Sequence, residues 1–488
     1  MGIIRNQTIK GTFYTYLGAA LGVLTNLVLL AWFFSPEQIG LLNILVAYSL
    51  LFAQLANLGF DNVTIRLFPF FRDEQTKHHG YFALMLKVIL IGAVISSMVF
   101  LLLFPYISAK SEGDLFSKFG FYVLPLIVFT LMFNSFDSYS RVLYKSVRGT
   151  FLKEVLQRVF IVVFIGLYIW FKWSFDLFVL LYVIGLSLPA IILFILIYKE
   201  GNVSFKIEKS YLQPELKKEI FTVSVFGLIT VFGSTIVTNI DKIMIQQYLD
   251  LYQTGLYSIA FFFGVIITMP SRALTKISST VIAESWKNKD VQTINVVYYK
   301  SCINQMVFSL LLFIGIWANI DNLLKLLPLK YANIQWVVFW IGVGSFIDMA
   351  TGINNTVIGT SPKYKLQSLF MLIFIVVIIA TNAIFIPEYG INGAAFASAL
   401  SLFIFNFIRW AYLWKQFQMQ PFNYKFLIVL LIGLFVYLLS LLIPSIKPFY
   451  LDIILRSSLI AIIYIFLIWK LNISEDINEH IKAYFNKI

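Results

Sequence analysis

The residues able to do chemistry in this chain are few, and most are set within or beside long apolar runs. In Thr238-Asn-Ile-Asp-Lys-Ile-Met-Ile245 an apolar run ends at Asn239, and Asp241 and Lys242 follow at once. A charged pair so close to hydrocarbon is costly and asks for a reason. Lys87 interrupts another run, and Arg272 follows the helix-breaking Met269-Pro270-Ser271. Asp348 stands inside Gly342-Val-Gly-Ser-Phe-Ile-Asp-Met-Ala-Thr-Gly352, rich enough in glycine to be irregular. Asn26, Asn43, Gln54 and Asn57 dot the first two runs, with Asp61 and Arg66 beyond them. Cations and amides in an apolar setting are suited to holding a polar or anionic group, because a buried anion needs cationic or hydrogen-bonding partners. The candidate site is therefore Asn26, Asn57, Arg66, Lys87, Asn239, Asp241, Lys242, Arg272 and Asp348. Plainer roles compete with this one. Lys87, about a turn and a half into its run, can snorkel to headgroups. Arg272 can anchor at the inner leaflet, and Asp348 can partner an Arg or Lys. Asp137 and Arg141, four apart, pair with each other. His78-His79, beside Asp73 and Glu74, reads as a solvated loop, since a metal site needs more ligands in fixed geometry.

Those residues must be positioned by membrane helices. The chain has 488 residues, 60% hydrophobic and 12% charged, against about 45–50% and about 25% in soluble proteins. Apolar runs of transmembrane length recur from end to end. Fourteen spans are expected, at 11–34, 39–60, 81–104, 119–140, 152–171, 177–198, 220–240, 255–272, 301–320, 336–357, 366–386, 392–414, 426–443 and 450–470. The first run is too long for a signal-peptide core, lacks an A-x-A site, and is expected to remain as a span. With the N-terminus inside, and cations toward a span's end counted with the adjoining segment, 28 of the 37 Lys and Arg fall on the inner side and eight on the outer, leaving Lys87 within a span. That asymmetry puts both termini in the cytoplasm. The formal charge of +13 thus reflects sidedness and not nucleic-acid binding. A lone cysteine, Cys302, excludes an intramolecular disulfide and a multi-cysteine metal site. No phosphate-binding loop motif occurs, and no connection is long enough for an ATPase or an outer catalytic domain.

Ser35-Pro-Glu-Gln-Ile-Gly40 opens one apolar run, and Thr254-Gly-Leu-Tyr-Ser-Ile-Ala260 opens another 215 positions later. Gly40 maps onto Gly255, and Arg72-Asp-Glu-Gln75 onto Lys287-Asn-Lys-Asp290, a weak internal repeat. Six spans separate span one from span seven, so the halves share one orientation. The expected divisions are a six-helix bundle at 1–198, a cytoplasmic linker at 199–218, a second six-helix bundle at 219–420, and two further spans with a tail at 421–488. A second stretch, Ile386-Pro-Glu-Tyr-Gly-Ile-Asn-Gly-Ala-Ala-Phe-Ala-Ser398, joins two spans. Pro387 is expected to stop the first, and Gly390 with Gly393 to make the turn. The small residues that follow give close helix packing, so this stretch marks the fold and not the site.

With Asn239-Ile-Asp-Lys-Ile-Met-Ile245, these stretches resemble the polysaccharide biosynthesis or O-antigen-type flippases of the multidrug/oligosaccharidyl-lipid/polysaccharide exporter superfamily. The resemblance implies an all-α polytopic fold of two pseudo-symmetric six-helix bundles around a cavity, plus two C-terminal helices. It implies a flippase, not an enzyme. Its substrate would be an undecaprenyl-diphosphate-linked oligosaccharide, a surface-polysaccharide repeat unit such as that of lipopolysaccharide, carried outward across a bacterial inner membrane. Partners would be that lipid and the bilayer, with a polysaccharide polymerase and glycosyltransferases nearby. No cofactor and no nucleic acid is implied, and coupling to Na⁺ or H⁺ is left open. Related peptidoglycan-precursor flippases carry cavity arginines in their first spans, whereas spans one and two here hold none before Arg66. An amide-rich cavity suits a sugar, and so does the 17% aromatic content, although interfacial belts account for most of it. Two competitors stand beside this reading. A cation-coupled multidrug exporter of the same superfamily usually needs a carboxylate in the N-terminal bundle, and spans one to three hold none. A membrane glycosyltransferase or polymerase needs paired carboxylates or a metal motif at one face. The topology is testable in a Cys302→Ser background. An impermeant thiol reagent added outside should label Lys110→Cys and spare His480→Cys; the reverse pattern would mean an inverted chain.

Overall fold

Hydrocarbon offers no partner to a backbone N–H or C=O, so apolar runs of this length must satisfy their backbones internally as helices. The computed structural model describes residues 2–109, 115–201, 203–208 and 210–479; Lys110 and His480 lie outside them. Among the described residues there are helices and no strands. The principal ones are α1 (Gly2–Val23), α2 (Pro36–Asn57), α3 (Phe60–Phe71), α4 (Tyr81–Ser108), α5 (Val123–Val142), α6 (Gln157–Phe171), α7 (Phe175–Lys199) and α8 (Pro214–Tyr248). They are followed by α9 (Leu251–Thr268), α10 (Ser271–Lys287), α11 (Val291–Trp317), α12 (Gln335–Ala350), α13 (Asn354–Thr360), α14 (Lys365–Phe417), α15 (Tyr424–Leu441) and α16 (Phe449–Lys470). A π-helical turn, Leu24–Leu30, carries α1 on to Phe33, and another, Phe151–Leu156, leads into α6. The chain divides into two compact units, 1–258 and 259–488.

Among the described residues twelve helices are long and apolar enough to cross a membrane, and the bent pair α12–α13 adds a thirteenth. The fourteenth is hidden in α14. The Thr381 and Ser401 hydroxyls are 2.8 Å apart, and Phe374 stacks on Phe405 at 4.1 Å. In one straight helix residues 381 and 401 would lie about 30 Å apart. α14 is therefore two antiparallel arms, and the fold turns at Gly390, where φ is 58°. This corrects the reading of Pro387 as the stop. Pro387 stays within helical structure three residues earlier, where a lost backbone bond near a helix end is cheap, and the glycine supplies the conformation that a side chain would resist. Gly393 acts by close approach instead, since a Cβ there would overlap the Phe385 carbonyl.

α8 also departs from expectation. It runs through Asn239, Asp241 and Lys242 to Tyr248, so the charged pair lies inside a helix and not beyond its end. Two helices were read from the sequence as loops. α3 buries Phe60, Val63, Leu67, Phe68 and Phe71 at three- and four-residue spacing, and α10 buries Ser278, Ile282 and Ser285.

The 215-residue repeat is visible in the element bounds. The α1 run ends at Phe33 and α8 at Tyr248; α2 begins at Pro36 and α9 at Leu251. The repeat closes on itself where α2 meets α9. A Cβ on Gly40 would overlap the Leu251 carbonyl, and a Cβ on Gly255 would overlap the Pro36 carbonyl. Each partner is the repeat-mate of the other, a reciprocal contact like that of a two-fold interface. Backbone against backbone leaves no soft atom to move. Gly255→Leu and Gly40→Leu should each cut the amount of folded protein in the membrane, by fluorescence-detected size exclusion. Wild-type abundance in both would refute the seam as a packing requirement.

Candidate functional site

The sequence-selected residues fall into separate clusters. In the first unit Asn239, Asp241 and Lys242 share the last turns of α8. The Lys242 Nζ donates to the Asn43 Oδ1 on α2 at 3.1 Å, while the Tyr257 hydroxyl on α9 donates to Asp241 at 2.7 Å. Tyr48 on α2 donates to Gln246 at 3.2 Å, and the Gln247 amide donates to the Tyr48 hydroxyl and the Ile107 carbonyl. Asn239 turns back on its own helix, donating to the Thr235 carbonyl at 3.0 Å. Asp241 and Lys242 thus fasten α8 to two neighbours by charge-assisted hydrogen bonds, beside the Gly40–Gly255 seam. Such bonds are stronger than neutral ones.

In the second unit Asp348 is joined by residues that sequence reasoning passed over. The Asn406 Nδ2 donates to the Asp348 carboxylate at 3.1 Å. The Asn406 Oδ1 accepts from Thr351 at 2.8 Å, Asn354 at 3.0 Å and Arg409 at 2.7 Å. Arg409 lies 3.8 Å from Asp348 and 4.0 Å from the Phe405 ring. One amide therefore ties together both sides of the α12–α13 break, which is a 48° bend at Thr351–Ile353 with Gly352 at φ 63°. Arg409 is buried while Asp348 keeps nearly half its side chain exposed. The sequence reading counted Arg409 among the inner charges; its signal was Asn406-x-x-Arg409 on one helical face.

A third cluster was missed as well. Glu154 and Arg158 form an ion pair at 3.0 Å. Gly18 and Gly22 on α1 cradle it, since a Cβ on Gly18 would overlap Glu154 and one on Gly22 the Arg158 guanidinium. Gly18-x-x-x-Gly22 facing Glu154-x-x-x-Arg158 was the legible signal.

The other candidates stand apart. Asn26 donates to its own Gly22 carbonyl at 2.8 Å. Asn57 is buried, bonding Ser135 at 3.3 Å and accepting from the Asp61 N–H. Arg66 lies on the exposed face of α3. Lys87 shares an exposed face with Leu90, Ile91, Val94 and Met98 on α4, the setting of a snorkelling cation. The side chain of Arg272 lies outside the described residues. Asp137 pairs with Arg141. His79 reaches Glu208 at 2.7 Å and stacks on Tyr211, fastening the linker after α7 to the segment between α3 and α4.

A family profile described as "Polysaccharide biosynthesis protein" matches residues 8–282, more than half of the chain. The chain belongs to that family. No curated protein matches it. Among solved structures it is similar to lipid II flippase MurJ in an inward closed conformation, at a TM-score of 0.73 and 15% identity, covering 95% of this chain and 100% of that one. An inward-facing MATE-family multidrug resistance transporter of the MOP superfamily gives 0.62 and 10% over 83% and 94%. The Vibrio cholerae MATE transporter VcmN gives 0.56 and 12% over 85% and 97%. At these identities the likeness establishes the fold: that of the MurJ and MATE proteins.

The clusters differ in what they cost to break. Asn406→Leu strands several donors in the second unit, and at about 1–3 kcal/mol per buried unsatisfied group it should lower the unfolding temperature clearly. Lys87→Leu should leave it unchanged. Thermal unfolding in detergent checks both, and a silent Asn406→Leu would remove the hub assignment.

Proposed function

We propose that this protein is a flippase, not an enzyme, that moves an undecaprenyl-diphosphate-linked oligosaccharide from the cytoplasmic to the outer leaflet of a bacterial inner membrane by alternating access. Both termini would face the cytoplasm. The observation that carries the reading, beyond family membership, is the placement of cations and amides within apolar helices. Arg158 and Lys242 in the first unit and Asp348–Asn406–Arg409 in the second supply charge and hydrogen bonds where hydrocarbon supplies none. An anionic head and a sugar need both kinds of partner, while a prenyl tail needs only lipid. The membrane potential favours outward movement of an anion, by about 2.3 kcal/mol per charge at ~100 mV. Asn26, Asn57, Arg66, Lys87, Asn239 and Arg272 remain proposed contacts along the route, with Lys87 the weakest of them. O-antigen, capsule and other surface polymers are equally compatible cargoes, with the polymerase and glycosyltransferases of that pathway as neighbours.

The multidrug-exporter reading gains a carboxylate in the first unit, Glu154. That carboxylate is neutralised by Arg158, which disfavours a cationic cargo. Proteoliposomes containing a fluorescent undecaprenyl-diphosphate oligosaccharide separate the two. Protein-dependent loss of protection from an external sugar-oxidising reagent is expected, faster with the potential oriented to pull anions across. Transport of a cationic dye, with no movement of the lipid-linked sugar, would favour the exporter. Arg272→Ala should slow the movement, and Arg272→Lys should restore it only in part if the guanidinium grips two phosphate oxygens.

A further inference from the structure

The Glu154–Arg158 pair is the least expected feature of the first unit. Its span runs from Ser146 to Phe171, so Arg158 is twelve residues from one end and thirteen from the other. The apolar run read from the sequence begins at 152, so Arg158 stands about a turn and a half inside it and not at its end. An ionisable side chain within a span is functional by default. A purely structural role explains it poorly, because an ion pair removed from water stabilises little that apolar packing would not.

Four observations point to a ligand instead. Glu154 and Arg158 keep 25% and 29% of their side-chain surface exposed, so the pair is not sealed inside the helices. The guanidinium lies against Gly22, where a Cβ would overlap it. Both helices depart from α geometry beside the pair, in the π turns Leu24–Leu30 and Phe151–Leu156, and such turns concentrate at functional sites. One residue before Glu154, the Lys153 Nζ stands 5.4 Å from the Phe133 ring. Among the described residues it has no carboxylate within 4 Å.

We propose that Arg158 is the anion-gripping residue of the first unit and that Glu154 is its resident counter-ion. The cargo's phosphate displaces Glu154 from the guanidinium. A carboxylate and a phosphate offer the guanidinium the same planar two-oxygen match, so the exchange leaves the cation paired throughout. This rests on the flippase reading for the identity of the cargo, though not for the site.

The test is binding to the full-length protein in nanodiscs, with undecaprenyl diphosphate as ligand, undecaprenol as the uncharged control and inorganic pyrophosphate as competitor. Arg158→Gln should weaken diphosphate binding by about tenfold or more, and Glu154→Gln should tighten it several-fold by removing the competing charge. Gly22→Ala, whose methyl displaces the guanidinium without altering charge, should weaken binding at unchanged abundance. It keeps the test open if Arg158→Gln fails to fold. If wild type prefers the diphosphate but Arg158→Gln, Glu154→Gln and Gly22→Ala all bind as wild type does, the pair is structural and the inference falls while the flippase reading stands. If pyrophosphate binds in an Arg158-dependent way while undecaprenyl diphosphate gains nothing over undecaprenol, the site stands and the lipid-carrier reading falls. Wild type that binds neither anion overturns both.

Discussion

Charge in hydrocarbon has to be neutralised within the protein, and the architecture is arranged around that necessity. Each unit answers it with short-range partners. Glu154 and Arg158 are one helical turn apart, as are Asp452 and Arg456. Arg456 also donates to carbonyls that end α15, at Ser440 and Ile443, so the same ion pair closes the turn between the last two spans. Asp348 and Arg409 come from different helices and need Asn406 between them. A turn-spaced pair can form with its own helix, whereas a cross-helix pair fixes where the helices lie. The Asn406 cluster accordingly sits at the α12–α13 break, where freed backbone groups also need partners. Ser301 supplies another, accepting the Ile353 N–H at 3.3 Å.

Where charge does not hold helices together, the lack of side chains does. Lipid gives no hydrophobic drive for one apolar helix to join another, so close backbone approach must do that work. Gly40 and Gly255 make the α2–α9 seam, Gly18 on α1 meets the Glu154 carbonyl, and Gly92 on α4 meets the Ala56 carbonyl on α2. Polar contacts stand beside them, Lys242 with Asn43 and Arg158 with Glu154.

Much of the fold was legible in the linear chain because a membrane makes sequence speak plainly. Backbone satisfaction forces helices from apolar runs. The 215-residue repeat came from as little as Gly40 and Gly255, because both meet a carbonyl where any Cβ would overlap. Boundaries were less legible. Asp241 and Lys242 look like the end of an apolar run, yet α8 continues to Tyr248 because Asn43 and Tyr257 wait on neighbouring helices. Pro387 looks like a stop, yet the turn belongs to Gly390.

The site was the least legible part, for a physical reason. Depth in the membrane and the identity of polar partners are properties of neighbouring helices, and spacing along one helix does not report them. Arg158 and Arg409 each read as one more inner cation at the edge of an apolar run. Only tertiary packing placed one over Gly22 and the other under Asp348 and Asn406. Conversely, Lys87 reads as an intramembrane charge, and packing turned it toward an apolar surface with Leu90 and Val94. The sequence alone determined that this is a many-spanning helical membrane protein with an internal repeat. Which of its charges face one another was decided by the folded chain, since pairing at membrane depth depends on contacts between residues hundreds of positions apart.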